Sequence, residues 1–155
     1  MPVTRLKEFL DKKKVKFVSI RHSTAYTAQE IAASAHVKGR NLAKSVVVKL
    51  DGKMALAVLP AKYQIDLEKL RSAAKVHKVE LAEEEEFTAQ FPGCETGAMP
   101  PFGNLYDLPV YADETLTKDE EIAFNACSHT ELIQIAYKDF ERLVKPKIAK
   151  FSVLR

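Results

Sequence analysis

The sequence is poor in cysteine, and it contains no tryptophan and no cluster of metal-ligating residues. Cys94 and Cys127 are the only cysteines among 155 residues. A chain of this length buries enough surface to fold without a disulfide framework. The two cysteines form no C-x-x-C pair and have no metal-ligand spacing. We therefore expect neither a disulfide framework nor a metal site.

The sequence also lacks a long apolar run and a strong excess of either charge. Its opening, M-P-V-T-R-L-K-E-F-L-D-K-K-K, is too charged for a signal peptide, and no apolar run approaches membrane-spanning length. The formal net charge of +3 permits contact with a phosphate backbone but is weaker than the basic stripe of a dedicated nucleic-acid binder. We expect a cytoplasmic protein with no membrane partner.

Apolar periodicity predicts interleaved helices and strands. Apolar residues make up 46% of the chain, which suits one compact domain over residues 1–155. Helices are predicted at Leu6–Leu10, after the T-A-Q-E capping box before Ile31, and over 66–73, 83–91 and 139–144. Strands are predicted over 16–21, 109–112, 122–126, 131–137 and 148–153. For 122–126 a helix competes, because a second capping box, T-K-D-E, precedes it. The pattern indicates an α/β or α+β fold around a mixed sheet.

The clearest local signal is a hairpin, K-S-V-V-V-K-L-D-G-K-M-A-L-A-V-L. Asp51-Gly52 predicts a two-residue turn, because aspartate and glycine tolerate positive φ angles. The turn pairs Leu50 with Lys53, Val48 with Ala55, Val46 with Ala57 and Lys44 with Leu59. Lys44 thus ends an otherwise apolar row. It either extends into water or holds an ammonium at a pocket rim, where it attracts an oxyanion or phosphate. Spacing alone leaves both open.

A stiff apolar loop lies between the run of glutamates and residue 109. The segment C-E-T-G-A-M-P-P-F-G-N contains two adjacent prolines, which a helix interior or inner strand does not accommodate. It also contains Met99 and Phe102, which a solvated linker does not need. This combination predicts an ordered loop that is anchored to the core.

The turn A-C-S-H-T-E-L-I carries His129 next to Cys127 and Ser128. A nucleophile cluster is one interpretation, with a Cys/His hydrolase as its consequence. Neighbouring residues point in opposite directions in a strand, however, so adjacency argues against a triad. The alternative is a histidine that fixes the turn. For His22, Tyr26 and His77 a surface or capping role is favoured.

Together, three segments resemble the YbaK and prolyl-tRNA synthetase editing-domain family: A-K-S-V-V-V-K-L, G-A-M-P-P-F-G and N-A-C-S-H-T-E-L-I. The R-H-S-T-A-Y-T-A-Q-E-I-A opening and the A-Y-K-D-F-E-R-L-V-K-P closing extend the resemblance over nearly the whole chain. It implies a mixed, partly barrel-like central sheet surrounded by helices. One departure is Cys127, because the family commonly has glycine at that position.

The resemblance implies a free-standing trans-editing aminoacyl-tRNA deacylase. Such an enzyme hydrolyses the ester of a mischarged tRNA, here with a small amino acid such as alanine, serine or cysteine. It needs no metal and no cofactor. The implied partner is the aminoacylated 3′ end of tRNA, with an aminoacyl-tRNA synthetase as a second candidate and no DNA. The alternative is a non-catalytic module of the same fold that binds a tRNA end or a synthetase.

The resemblance also assigns the site residues. Lys44 and His129 match the family's strand lysine and late histidine, and are the expected catalytic residues. The expected substrate-binding residues are Tyr26, Gly97, Ala98, Met99, Pro101, Ser128 and Thr130. The backbone amides of Gly97, Ala98 and Met99 are the expected donors to the carbonyl oxygen of the substrate.

Overall fold

The computed structural model describes residues 2–21, 42–91, 94–95, 98–128 and 130–154. Within these ranges the helices are α1 Pro2–Lys12, α2 Leu67–Ala74, α3 Glu84–Phe87 and α4 Tyr137–Val144. The strands are β1 Val18–Arg21, β2 Leu42–Leu50, β3 Lys53–Pro60, β4 Tyr63–Ile65, β5 Val79–Leu81, β6 Val110–Asp113, β7 Glu121–Asn125, β8 Glu131–Ala136, β9 Lys147–Ala149 and β10 Ser152–Leu154. The predicted capping box before Ile31 lies outside the described residues.

Eight of these strands form one mixed sheet. Their order is β1-β8-β7-β2-β3-β6-β9, with β5 pairing to β2 as well, and β10 pairs with β4 in a separate two-stranded sheet. The pairs β2–β7, β3–β6 and β6–β9 are parallel, and the other pairs are antiparallel. This arrangement confirms the predicted α/β class with a large mixed sheet. In the described part of the chain, no helix is long and apolar enough to span a membrane.

The β2–β3 hairpin has the predicted register. Asp51 and Gly52 adopt φ angles of 50° and 86°, as a two-residue turn requires. Leu50 pairs with Lys53, and Lys44 pairs with Leu59 at the far end. The turn therefore fixes which β2 side chains share a face, and it places Lys44 on the same face as Val46.

Both faces of this hairpin are buried, each in its own core. One face contributes Val47, Leu56 and Val58 to a core that also contains side chains of α1, of α4 and of the segment 94–104, which is called the proline loop below. The other face contributes Val48, Ala55, Ala57 and Leu59, which pack with Leu70 of α2 and with Tyr111 and Phe151. The large sheet therefore has a packed layer on each side.

The predicted last strand, 148–153, is instead two strands in different sheets. Asp113 is fully buried, and its carboxylate accepts hydrogen bonds from the backbone N–H groups of Phe151 and Ser152 at 2.9 and 3.0 Å. These bonds bend the chain between β9 and β10. The competition at 122–126 is resolved as a strand, β7, which follows a 3₁₀ helix over Glu114–Lys118.

Candidate active site

Lys44 lies between the part of β2 that pairs with β7 and the part that pairs with β5. On this side of β2, pairing with β7 covers Leu42 and Ala43, and pairing with β5 begins at Val48. β7 runs parallel to β2, with Ala43 beside Phe124, so Lys44 is level with Asn125 at the end of β7. Lys44 is partly buried, between the ends of two neighbouring strands.

The face that carries Lys44 is apolar at this level of the sheet. Leu42, two residues earlier on the same face of β2, packs with Ala123 and Leu132. Leu132 pairs with Asn125 across β7 and β8. An ammonium group beside such a surface interacts with an anion more strongly than it would in bulk water.

The proline loop is anchored as its composition predicts. Met99 is 5% exposed and Phe102 is fully buried in the core beneath the sheet. The Phe102 ring contacts three other rings, those of Phe9, Phe124 and Phe140, at centroid distances of 6.1, 5.5 and 6.0 Å. These contacts join the loop to α1, β7 and α4 and hold its Phe102 end in the core.

Two backbone hydrogen bonds join the loop to the turn that follows β7. The N–H of Glu95 donates to the carbonyl oxygen of Cys127 at 2.9 Å, and the N–H of Cys127 donates to the carbonyl oxygen of Ala98, also at 2.9 Å. Because β7 runs parallel to β2 and ends level with Lys44, the turn and the loop bonded to it lie beside the part of β2 that carries Lys44. Residues far apart in sequence thus form one candidate site.

Short-range hydrogen bonds shape the turn itself. The N–H of Ala126 donates to the carbonyl oxygen of Glu131 at 3.0 Å. The Ser128 hydroxyl accepts from the N–H of Thr130 at 3.1 Å and lies 2.7 Å from the Thr130 hydroxyl. Both predicted substrate-binding hydroxyls are therefore bonded to each other across the position of residue 129. His129, Gly97 and Tyr26 lie outside the described residues.

Cys127 adopts a backbone conformation that favours glycine. Its φ angle is 66°, in the left-handed region that costs a residue with a β-carbon about 1–2 kcal/mol. This geometry gives a physical reason for the glycine that the family commonly has here. The turn retains that conformation although its residue is cysteine.

Cys94 and Cys127 form a single disulfide bond, which the spacing of the two cysteines did not predict. The two residues are 33 positions apart, and their Cα atoms lie 4.2 Å from each other. The Tyr106 hydroxyl lies 3.7 Å from the sulfur of Cys94 and 3.6 Å from that of Cys127. Burial raises the pKa of Tyr106, so at neutral pH its hydroxyl keeps its proton and donates toward these sulfurs. The bond follows from local convergence of the loop and the turn, which chain length does not predict.

The amide of Ala98 is not an available donor, contrary to expectation. Its N–H donates to the carbonyl oxygen of Glu95 at 3.0 Å, and the residue is fully buried. Of the three expected amide donors, Gly97 lies outside the described residues and Ala98 is already bonded. The Met99 amide therefore remains a candidate.

Glu131 is a buried charge that was not among the expected site residues. Its side chain is 5% exposed and lies 2.8 Å from the Lys7 ammonium, and Ser19 also donates to it. These contacts fasten the end of the turn to α1 and β1. The signal in the sequence was a glutamate at the start of an apolar strand. In the described part of the chain, no three His, Cys, Asp or Glu side chains come together as metal ligands.

The comparisons with known proteins agree with this architecture. A family model described as "Aminoacyl-tRNA editing domain" matches residues 22–143. The chain belongs to the aminoacyl-tRNA editing domain family. This membership confirms the resemblance and the expected class, an aminoacyl-tRNA deacylase. The individual roles of Lys44, His129 and the substrate-binding residues stay predictions.

Individual relatives support the same family. The chain is 33% identical over 114 residues to the Multifunctional Ser/Thr-tRNA deacylase ProXp-y of Escherichia coli (strain K12), a match that covers 70% of this chain and 68% of the relative. It is 26% identical over 127 residues to a proline--tRNA ligase of Bacillus mycoides (strain KBAB4), covering 82% of this chain and 22% of the ligase. A solved structure described as a candidate trans-editing enzyme for prolyl tRNA synthetase superposes with a TM-score of 0.84 at 22% identity, covering 98% of this chain and 97% of that chain. The structural match supports the fold.

Proposed function

We propose that this protein is a free-standing, cytoplasmic trans-editing enzyme that hydrolyses the ester between a small amino acid and the 3′ end of a tRNA. The observation that carries the proposal is that the Cys127 turn, with the proline loop bonded to it, follows the end of β7 beside the Lys44 part of β2. Alanine, serine and cysteine are the proposed amino acids. The relative named as a Ser/Thr-tRNA deacylase adds threonine to the substrates worth testing.

Lys44 supplies positive charge in the proposed mechanism. Its position between the ends of β7 and β5, on a face lined by Leu42, lowers the local dielectric around the ammonium. Charge placed there holds a phosphate of the terminal adenosine or an oxygen of the ester. An oxygen that becomes more negative in the transition state gains most from it, and this difference accelerates the reaction.

The proline loop supplies fixed backbone dipoles. The Met99 and Gly97 amides are the proposed donors to the carbonyl oxygen as it acquires negative charge. The prolines and the buried Phe102 hold these donors in place before substrate arrives, so little reorganisation is required during the reaction. Ala98 and Pro101 shape the wall beside the amino acid without donating hydrogen bonds to it.

The turn and the tRNA complete the proposed chemistry. His129 orients the substrate, and the hydrogen-bonded pair Ser128 and Thr130 keeps the turn around it in one conformation. Tyr26 contacts the bound end of the tRNA. The 2′-hydroxyl of the terminal adenosine helps to activate the attacking water, and it restricts the enzyme to RNA because DNA lacks this group. The mechanism uses no metal ion.

The test is release of free amino acid from tRNAs charged with alanine, serine, cysteine or threonine on the 3′ oxygen. Each substrate is compared with the same tRNA ending in 2′-deoxyadenosine. We expect hydrolysis of at least one ribose-terminated substrate and at least a tenfold loss, about 1.4 kcal/mol of barrier, with its deoxy counterpart. Binding of every substrate without release would favour the non-catalytic module. Equal rates on both termini would remove the 2′-hydroxyl from the mechanism.

A further inference from the structure

The Cys94–Cys127 bond links the two segments that the proposed site depends on. Cys94 is the first residue of the proline loop, and Cys127 lies in the turn after β7, next to the hydrogen bonds that join these segments. Cys127 is 5% exposed, whereas Cys94 is partly exposed. Cys94 is therefore the more accessible of the two residues to a molecule in solution. The proposed hydrolysis uses neither sulfur.

We propose that Cys94 and Cys127 form a reversible redox site, with a low-molecular-weight disulfide as the oxidant. When oxidised, the pair holds the proline loop against the Cys127 turn and so favours the arrangement that hydrolyses aminoacyl-tRNA. The effect on hydrolysis rests on the proposed function. The thiol chemistry does not depend on it.

The oxidation is two thiol–disulfide exchanges. The Cys94 thiolate attacks one sulfur of the small disulfide, whose S–S bond breaks, and the departing thiolate takes the proton that Cys94 released. The Cys127 thiolate then attacks the Cys94 sulfur and displaces the second small thiolate, which takes the Cys127 proton. Two protein thiols are oxidised to one disulfide, and one small disulfide is reduced to two thiols. An excess of small thiol reverses both steps.

The surroundings of the pair favour a reversible bond over one needed for folding. The loop and the turn are also joined by the Glu95–Cys127 and Cys127–Ala98 hydrogen bonds, and Phe102 anchors the loop in the core. Reduction therefore leaves the fold in place and removes one of several links. Disulfides that form in the reducing cytoplasm are mostly transient or redox-sensing. The proposed cytoplasmic location therefore fits a reversible Cys94–Cys127 bond.

The direction of the effect follows from what the bond restrains. The structure with the bond has the loop docked on the turn, which is the arrangement the proposed oxyanion donors require. Loss of the bond allows the loop more conformations, and a site that is less pre-organised stabilises the transition state less well. We expect reduction to lower kcat/KM for deacylation several-fold, by about threefold to tenfold.

The first measurement needs no activity. The full-length protein is equilibrated in glutathione buffers of different thiol-to-disulfide ratio, and its thiols are counted with a thiol-reactive dye. We expect two reactive thiols in the reduced protein under denaturing conditions and none in the oxidised protein, with complete reversal when excess thiol is restored. Two reactive thiols after full oxidation, or only mixed disulfides with glutathione, would overturn the redox site.

The second measurement compares deacylation by the oxidised and reduced wild type with Cys94→Ser and Cys127→Gly under both conditions. We expect the wild type to respond to redox state and each variant to keep one rate near that of the reduced wild type. Glycine adopts the positive φ angle at position 127 without strain, so Cys127→Gly should fold well. It therefore provides the comparison if Cys94→Ser folds poorly. Equal wild-type rates with and without the bond would overturn the control of activity. No hydrolysis in either state, with a normal thiol count, would instead count against the proposed function.

Discussion

The backbone N–H of Cys127 donates to the carbonyl oxygen of Ala98 at 2.9 Å. This bond joins the proline loop to the turn after β7, and with them it joins the two halves of the candidate site. Cys127 adopts a positive φ angle where it makes this bond, so the backbone conformation of this residue is part of the junction between the loop and the turn. Substitutions at position 127 therefore test the junction directly.

Glycine should be more stabilising than alanine at position 127. Neither Cys127→Gly nor Cys127→Ala can form the disulfide, so the comparison isolates the backbone conformation. At a φ angle of 66° a β-carbon is strained, and we expect the free energy of unfolding of Cys127→Gly to exceed that of Cys127→Ala by about 1 kcal/mol. Urea denaturation measures the difference. An alanine variant as stable as the glycine variant would show that the turn has changed its conformation.

Asp113 should be a major contributor to stability and acid sensitivity. Burial raises the pKa of Asp113, but the hydrogen bonds from Thr115, Phe151 and Ser152 together lower it by more than burial raises it. The pKa is therefore below its ordinary value of 3.8. A lowered folded-state pKa means that the carboxylate contributes its full stability above about pH 3.8. That contribution is lost as the pH falls further, through the folded-state value. Asp113→Asn should lower the free energy of unfolding at pH 7 by about 3 kcal/mol, because buried donors lose an ionised acceptor.

The matched control for this substitution is Asp139→Asn. Asp139 lies on α4 and its carboxylate contacts Arg142 one helical turn away at 3.0 Å, in a pair exposed to solvent. Its substitution should change stability little. Denaturation of both variants between pH 2 and 7 should show a weaker fall in stability below pH 3.8 for Asp113→Asn alone. If the free energy of unfolding fell equally steeply with acid for wild type and Asp113→Asn, this would contradict the role of the buried carboxylate.

Binding of tRNA should depend only weakly on salt. The net charge of +3 and scattered lysines predict about two to four phosphate contacts, so the slope of log affinity against log salt should be shallow. Charge reversal at the exposed Lys12, Lys13 and Lys14 should weaken binding and leave unchanged which amino acid is removed. Reversal of the exposed Lys62, Lys69 and Lys75 near α2 changes the net charge equally and serves as the control. A steep slope for tRNA, with a shallow one for a short acceptor-stem mimic, would reveal an extended basic footprint.

Local sequence signals determine much of the fold. The Asp51-Gly52 turn fixed the register of the β2–β3 hairpin, and that register placed Lys44 correctly opposite Leu59. Met99 and Phe102 indicated the anchored loop, because large apolar side chains beside adjacent prolines gain most by packing into the core. These predictions succeeded because turn geometry and strand alternation act over a few residues.

The features that were not predicted depend on contacts between distant segments. The Cys94–Cys127 bond follows from how the loop docks on the turn, which no local pattern encodes. The break between β9 and β10 likewise depends on Asp113, which lies 38 positions from Phe151. Alternation alone favoured one continuous strand there.

The most direct test of the account is release of amino acid from mischarged tRNA by wild type, Lys44→Ala and Lys49→Ala. Lys49 is on the same strand but the opposite face, where its ammonium lies 2.7 Å from Glu86, so it controls for loss of a β2 lysine. We expect wild type and Lys49→Ala to hydrolyse the ester at similar rates. Lys44→Ala should be slower by about 100-fold or more, with unchanged circular dichroism and melting temperature. Near-wild-type hydrolysis by a folded Lys44→Ala, or no hydrolysis by the wild type on any small-amino-acid tRNA, would contradict the account.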